Sequence, residues 1–85
     1  MLKVIQQQIL LTLLKSETPL TVRKLMAKAN IKFNIKNHIE ALETMGLIKV
    51  EEERSFPRRK FIFLTERGRR VAELLLEIEM ILKSS

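Results

Sequence analysis

The spacing of apolar residues changes twice along this chain, and those two changes dictate the order of its elements. From Leu2 to Met45 apolar side chains recur every three or four positions, from Leu47 to Leu64 they fit strand spacing, and from Val71 onward the longer spacing returns. The first pattern lines one face of a helix, the second one face of a strand. Residues 2–15 form the first helix, with Leu2, Ile5, Ile9 and Leu13 on one stripe and Leu10 and Leu14 widening it. Val4 and Leu11 fall on the opposite side, more apolar surface than one small core can use. Ser16 to Leu20, with Pro19, ends that helix.

Thr21 is an N-cap for a second helix, Val22 to Ala29, which turns Val22, Leu25, Met26 and Ala29 inward and Arg23, Lys24 and Lys28 to water. Asn30 tolerates left-handed backbone and suits the turn that follows. Ile35, Ile39, Leu42 and Met45 carry a third helix from about Phe33 to its C-terminal glycine, Gly46. Leu47 to Glu52 then alternates, with Ile48 and Val50 on one side and Lys49 and Glu51 on the other. Lys60 to Leu64 is rich in strand-forming residues, so the two segments pair as a hairpin. Its tip, Glu53 to Arg59, is polar and contains Pro57, which a central strand excludes. Thr65 caps a last helix, Glu66 to about Lys83, in which nine of the twelve residues from Val71 to Leu82 are apolar. The predicted order is helix, helix, helix, strand, strand, helix, an α+β chain in which residues 1–85 form one ordered domain.

Charge separates along this order. Sixteen Lys and Arg against ten acids, all Glu, give a net charge of +6 and a pI near 10.1. Residues 18–39 carry Arg23, Lys24, Lys28, Lys32 and Lys36 without an acid, and residues 54–65 carry Arg54, Arg58, Arg59 and Lys60 without one. The acids gather at Glu51 to Glu53 and on the last helix, so the fold is expected to divide a basic face from a more acidic one, the signature of a polyanion partner.

Several function classes drop out. With no cysteine, neither a disulfide framework nor a cysteine-based zinc site is available. His38 is the only histidine and has no Asp or Cys to join it, which makes it structural or DNA-facing. Alternation sends Glu51, Glu52 and Glu53 to opposite faces and makes them a solvated strand end. No nucleophile, base and orienting group can be assembled, and no glycine-rich phosphate loop exists, so the chain is expected not to be an enzyme and to need no cofactor or metal. No apolar run approaches the ~20 residues that span a bilayer. The start Met1-Leu2-Lys3 makes a poor secretion signal, and a soluble, cytoplasmic protein is expected, nucleoid-associated if prokaryotic.

Three segments carry a resemblance. Pro19-Leu20-Thr21-Val22-Arg23-Lys24-Leu25 is similar to the opening of the second helix, His38-Ile39-Glu40-Ala41-Leu42-Glu43-Thr44-Met45-Gly46-Leu47-Ile48 to a recognition helix running into the first wing strand, and Phe61-Ile62-Phe63-Leu64-Thr65-Glu66-Arg67-Gly68-Arg69-Arg70 to the second wing strand entering the following helix. In this order they resemble winged helix-turn-helix DNA-binding proteins of the broad MarR-like and PadR-like kind. The turn Asn30-Ile31-Lys32-Phe33-Asn34 is about one residue shorter than usual for them. The resemblance implies a three-helix core, a two-stranded β wing and a long C-terminal helix, and a transcriptional regulator that binds double-stranded DNA with a sequence preference. A sequence-independent DNA-coating chromosomal protein and a protein-interaction module are the alternatives.

On this reading the third helix offers Asn34, Lys36, Asn37 and Glu40 to the major groove, where Asn can pair with adenine and Lys with guanine or phosphate. Phe33 is assigned to the core. Arg23, Lys24 and Lys32 add to the same surface. Arg54, Arg58, Arg59 and Lys60 on the wing contact phosphate or enter the minor groove, since no acid in their own segment balances them. An 85-residue chain buries little more than about 60% of its unfolded surface, which favours a homodimer. Its interface is expected from the last helix, residues 66–83, through Val71, Leu75, Ile78 and Leu82, spaced four, three and four apart, with Leu76 and Met80, and from Val4 and Leu11 of the first helix. No small-molecule effector follows from the sequence.

Overall fold

A computed structural model describes residues 2–16 and 18–84. Met1 of the expected start, Glu17 of the expected break and Ser85 lie outside the described residues. The elements run α1 (Val4–Lys15), β1 (Leu20–Thr21), α2 (Val22–Ala29), α3 (Lys36–Thr44), β2 (Ile48–Glu52), β3 (Lys60–Leu64) and α4 (Glu66–Lys83). This is the α+β winged helix-turn-helix, with one addition. β1 pairs antiparallel with β3, Leu20 opposite Ile62 and Thr21 opposite Phe61, which makes a three-stranded sheet in the order β1-β3-β2. A two-residue strand has no periodicity to read, so the sequence shows only a helix break there.

The hairpin register sets Ile48 opposite Leu64, Val50 opposite Ile62 and Glu52 opposite Lys60. Ile48 and Ile62 face inward, and Lys49 and Glu51 face water. With Leu20 they cover a core built from Ile9, Leu10 and Leu13 of α1, Leu25 of α2, Ile39 and Leu42 of α3, and Ala72 of α4. Ile31 and Ile35 anchor the α2–α3 connection in the same cluster. Each fully buried Leu or Ile contributes about 1.5–3 kcal/mol, so Leu42, the α3 side chain with no exposed surface, is the position whose truncation most loosens α3.

Capping follows the sequence in two places. The Thr21 hydroxyl accepts from the Lys24 N–H, and Asn30 closes α2 in the left-handed region at φ 56°. Thr65 caps α4 through the Gly68 N–H at 2.9 Å. Elsewhere the boundaries move. Leu2 precedes α1. α3 starts at Lys36 rather than near Phe33, because the Asn34 carboxamide oxygen accepts the Lys36 N–H at 2.8 Å and leaves Ile35 as a non-helical N-cap. Met45, expected inward, is the C-cap of α3 and is exposed.

The corner after α3 fixes the hairpin against α4. Gly46 adopts φ 76°, the left-handed turn that ends α3. The Thr65 hydroxyl donates to the Gly46 carbonyl at 2.6 Å, and the Thr65 N–H donates to the Leu47 carbonyl at 3.1 Å. Gly68 lies so close that a Cβ there would overlap the Leu47 carbonyl. α1 packs along α4, with Lys15 and Glu79 paired at 3.7 Å. α4 carries four Glu, three Arg and one Lys, so it is balanced rather than acidic.

Candidate nucleic-acid interface

α2, the connection after it and α3 all carry exposed polar residues. Arg23, Lys24 and Lys28 on α2, Lys32 in the connection, and Lys36, Asn37 and Glu40 on α3 are all exposed. Neither helix has an acid in its first turn, so both N-termini keep their partial positive charge available to anions. Val22, Met26, Asn34, Ile35, Lys36, Ile39, Glu40, Glu43, Val50 and Lys60 enclose a groove of about 490 Å³ between α2, α3 and the root of the hairpin. The fold thus brings Asn34 and Lys36 from the α3 end to the same groove as Lys60 from the wing. Arg23, Lys24, Lys32 and Asn37 stand outside that groove, as do Arg54 and Arg58 at the hairpin tip.

Individual groups differ in what they have free. The Asn34 oxygen is committed to the Lys36 N–H, which leaves its amide NH₂ to donate. The Asn37 carboxamide makes no hydrogen bond among the described residues. Phe33, assigned above to the core, is 50% exposed. The shortened turn uses Ile31 and Ile35 as its buried anchors and turns Phe33 out between them.

His38 is structural. Its Nδ1 lies 3.3 Å from the Gln6 amide nitrogen, a contact that goes with the Nε2–H tautomer. Gln6 is buried, and its oxygen accepts the Lys3 N–H at 3.0 Å. This polar link between α1 and α3 was invisible in the sequence, where Gln6 is one of three consecutive glutamines.

The wing corrects the expectation that no acid balances its cations. Glu53 sits directly across the hairpin from Arg59, and its Oε1 accepts from the Arg59 Nε at 2.9 Å and from the Arg59 N–H at 3.0 Å. Those two hydrogen bonds, side chain first and backbone second, hold the Glu53 carboxyl below its ordinary value, and the same pairing raises Arg59. The Arg59 guanidinium also lies 5.6 Å from the centre of the Phe61 ring. Glu53 is therefore a partner rather than a solvated strand end, and Arg59 is engaged within its own chain. Among the described residues the ion pairs involve Lys15, Lys49, Arg59 and Lys83, so Arg54, Arg58, Lys60 and the cations of α2 and α3 have no acid partner there.

On α4, Val71 and Leu75 pack against the core of their own chain. Leu76 is half-buried, while Ile78, Met80 and Leu82 are exposed, as is Val4 on α1; Leu11 is half-buried. Leu74 and Ile81, not singled out in the sequence, are exposed as well. The exposed apolar surface of α4 thus holds Ile78, Met80 and Leu82 of the expected set together with Leu74 and Ile81.

A scan against protein-family models matches none, and no curated protein matches the chain. Solved structures do. AbfR of Staphylococcus epidermidis is 26% identical, with a TM-score of 0.76 over 89% of this chain and 52% of that one. AbfR has also been solved in its reduced form bound to DNA, at 27% identity and a TM-score of 0.76 over 89% of this chain and 55% of that one. A MarR-family transcriptional regulator from Silicibacter pomeroyi matches at 22% identity and a TM-score of 0.71, over 85% of this chain and 49% of that one. A PadR-family transcriptional regulator from Eggerthella lenta matches at 21% identity and a TM-score of 0.70, over 94% and 76%. This chain spans about half the length of AbfR. The likeness to MarR-family and PadR-family structures shows that the fold is the winged helix that the three sequence segments resemble.

Proposed function

We propose that the protein is a homodimeric transcriptional regulator that binds double-stranded DNA with a sequence preference and carries out no catalytic step. In this reading residues 1–85 act as one winged-helix domain, α3 enters the major groove with Asn34, Lys36 and Asn37, and the wing grips the backbone or minor groove through Arg54, Arg58 and Lys60. Arg23, Lys24 and Lys32 contact phosphates beside α3. Arg59 serves the shape of the wing before it serves DNA. Such a regulator works in the cytoplasm, at the nucleoid in a prokaryote.

The observation that carries the reading is the exposed cations of α2, the connection, α3 and the wing tip without an acid partner among the described residues, with Lys36 and Lys60 meeting at one largely apolar groove. AbfR, at 27% identity and bound to DNA in its reduced form, supports the same partner. The test is fluorescence anisotropy on labelled random duplexes at two salt concentrations, followed by selection of preferred sites. Salt-sensitive binding with an enriched site is expected. Salt-sensitive binding without enrichment replaces the reading with DNA coating, and no binding replaces it with a protein-interaction module.

The homodimer rests on surface area. The chain exposes 6470 Å², whereas a compact monomer of 10.0 kDa exposes about 5,200 Å². The excess exceeds the roughly 800 Å² per partner of an ordinary interface. α4, about 27 Å long at 1.5 Å per residue, offers Leu74, Ile78 and Ile81 to a second copy, with Val71, Leu75, Leu76, Met80, Leu82, Val4 and Leu11 around them. Sedimentation at micromolar concentration is expected to give a dimer, and Ile78→Glu a monomer or an unfolded chain. A stable wild-type monomer contradicts the assembly.

A further inference from the structure

The four phenylalanines are the chain's only aromatic residues, and none belongs to the buried core. Phe61 and Phe63 are half-buried on β3, and Phe33 is half exposed. Phe56, at the tip of the wing, is 93% exposed, so its ring adds nothing to folding by burial.

The loop around it is tied down. The Glu53 N–H donates to the Arg59 carbonyl at 3.0 Å, and the Arg58 N–H donates to the Ser55 carbonyl at 2.9 Å. The Glu53 carboxylate and the Arg59 side chain clamp the root. Phe56 thus projects from a closed turn, with exposed Arg54 and Arg58 on either side of it.

We infer that Phe56 is an apolar wedge that enters the minor groove of duplex DNA, slides between two base pairs and kinks the helix. The inference rests on the DNA-binding reading above and adds to it a mode of readout. Arg54 and Arg58 hold the flanking phosphates while the ring replaces one stacking contact. Wedges of this kind bend DNA by roughly 20–90°, and pyrimidine–purine steps unstack most easily. The wing therefore contributes sequence preference without a hydrogen bond to any base. A bilayer is a poorer match, because Phe56 and Pro57 are the only apolar residues from Glu53 to Lys60 and stable anchoring needs a larger apolar face.

The chain has no Trp and no Tyr, so Phe56→Trp installs a single reporter at the tip. Its emission is expected to be quenched by a short duplex and shielded from acrylamide, with no response to phosphatidylglycerol vesicles. In parallel, energy transfer between dyes at the two duplex ends is expected to rise when the wild type binds. Phe56→Ala is expected to restore the straight-duplex distance and weaken binding about tenfold, the loss of one stacked ring, with the salt slope unchanged because the residue is neutral. Phe56→Leu is expected to keep most of the bend. Circular dichroism of the Ala variant is expected to match the wild type.

Binding with full Trp emission, or a bend that survives Phe56→Ala, overturns the wedge and leaves DNA binding standing. A blue shift on vesicles without quenching by DNA overturns it in favour of a membrane contact. Failure of the wild type to bind any duplex overturns the DNA-binding reading and the wedge together.

Discussion

The segment from α2 to the start of α3 and the wing tip both present exposed cations, yet they hold them in different ways. Lys36 and Asn37 stand on the outer face of a helix whose inner face, Ile39 and Leu42, is fixed in the core. The helical period alone decides which residues face out. At the wing, six positions separate Glu53 from Arg59, and the hairpin folds them onto each other at 2.9 Å. One of the four cations of the tip is thereby withdrawn, and the others are left around a projecting phenylalanine. A count of cations therefore measures the exposed charge from Arg23 to Lys36 and overstates it on the wing.

The largest effect expected from breaking this comparison lies in the wing. Removing Arg54 and Arg58 together takes about four phosphate contacts from a dimer and flattens the log–log salt dependence of binding by about 3.6. Removing Arg59 instead is expected to change that slope little. A flattening of about 1.8 in the Arg59 variant would mean that the Glu53 pair opens on binding. Salt titrations of both variants on one duplex check this.

Asn37→Ala comes next. A bidentate Asn–adenine contact gives roughly 1–3 kcal/mol of discrimination, or about five- to a hundredfold. The variant is expected to relax preference at one base pair per half-site in site selection, with the salt slope kept. Lys36→Ala is expected to weaken all sites alike and to flatten the slope by about 1.8 in a dimer.

The smallest effect is acid dependence of the wing itself. Its hydrogen bonds to Arg59 lower the Glu53 carboxyl from its ordinary 4.5. The pair therefore contributes stability above that value and loses it as pH falls through the lower folded value. Both groups are at the surface, so the contribution is small. An NMR titration of the Glu53 side chain is expected to give a midpoint below 4.5 that returns toward it in Arg59→Ala.

The same contrast explains what could be read in the sequence. The order of α1, α2, α3, the hairpin and α4 was legible because periodicity and the caps Thr21, Asn30, Gly46 and Thr65 are local signals. The exposure of Lys36, Asn37, Arg54 and Arg58 followed from them. What escaped depends on contacts between distant residues. β1 exists only because β3 lies beside it, Gln6 is buried because His38 meets it, and Gly68 is required because Leu47 crosses it. Phe33 was misplaced because apolarity argued for the core while Ile31 and Ile35 already filled the anchoring positions. On α4, Val71 and Leu75 are partly buried against their own core, while Ile78, Met80 and Leu82 stay exposed beside Leu74 and Ile81, a division that only the packing of α1 on α4 decides.

The central claim is that α3 and the wing form one DNA-binding surface on the opposite duty from the α4 seam. Amide shifts in a two-dimensional NMR spectrum, followed while a short duplex containing a selected site is added, test it most directly. The account predicts that residues 36–40 and 54–60 move together at the same duplex concentration while residues 74–81 stay in place. Shifts centred on residues 74–81, or movement of the wing without α3, would contradict it.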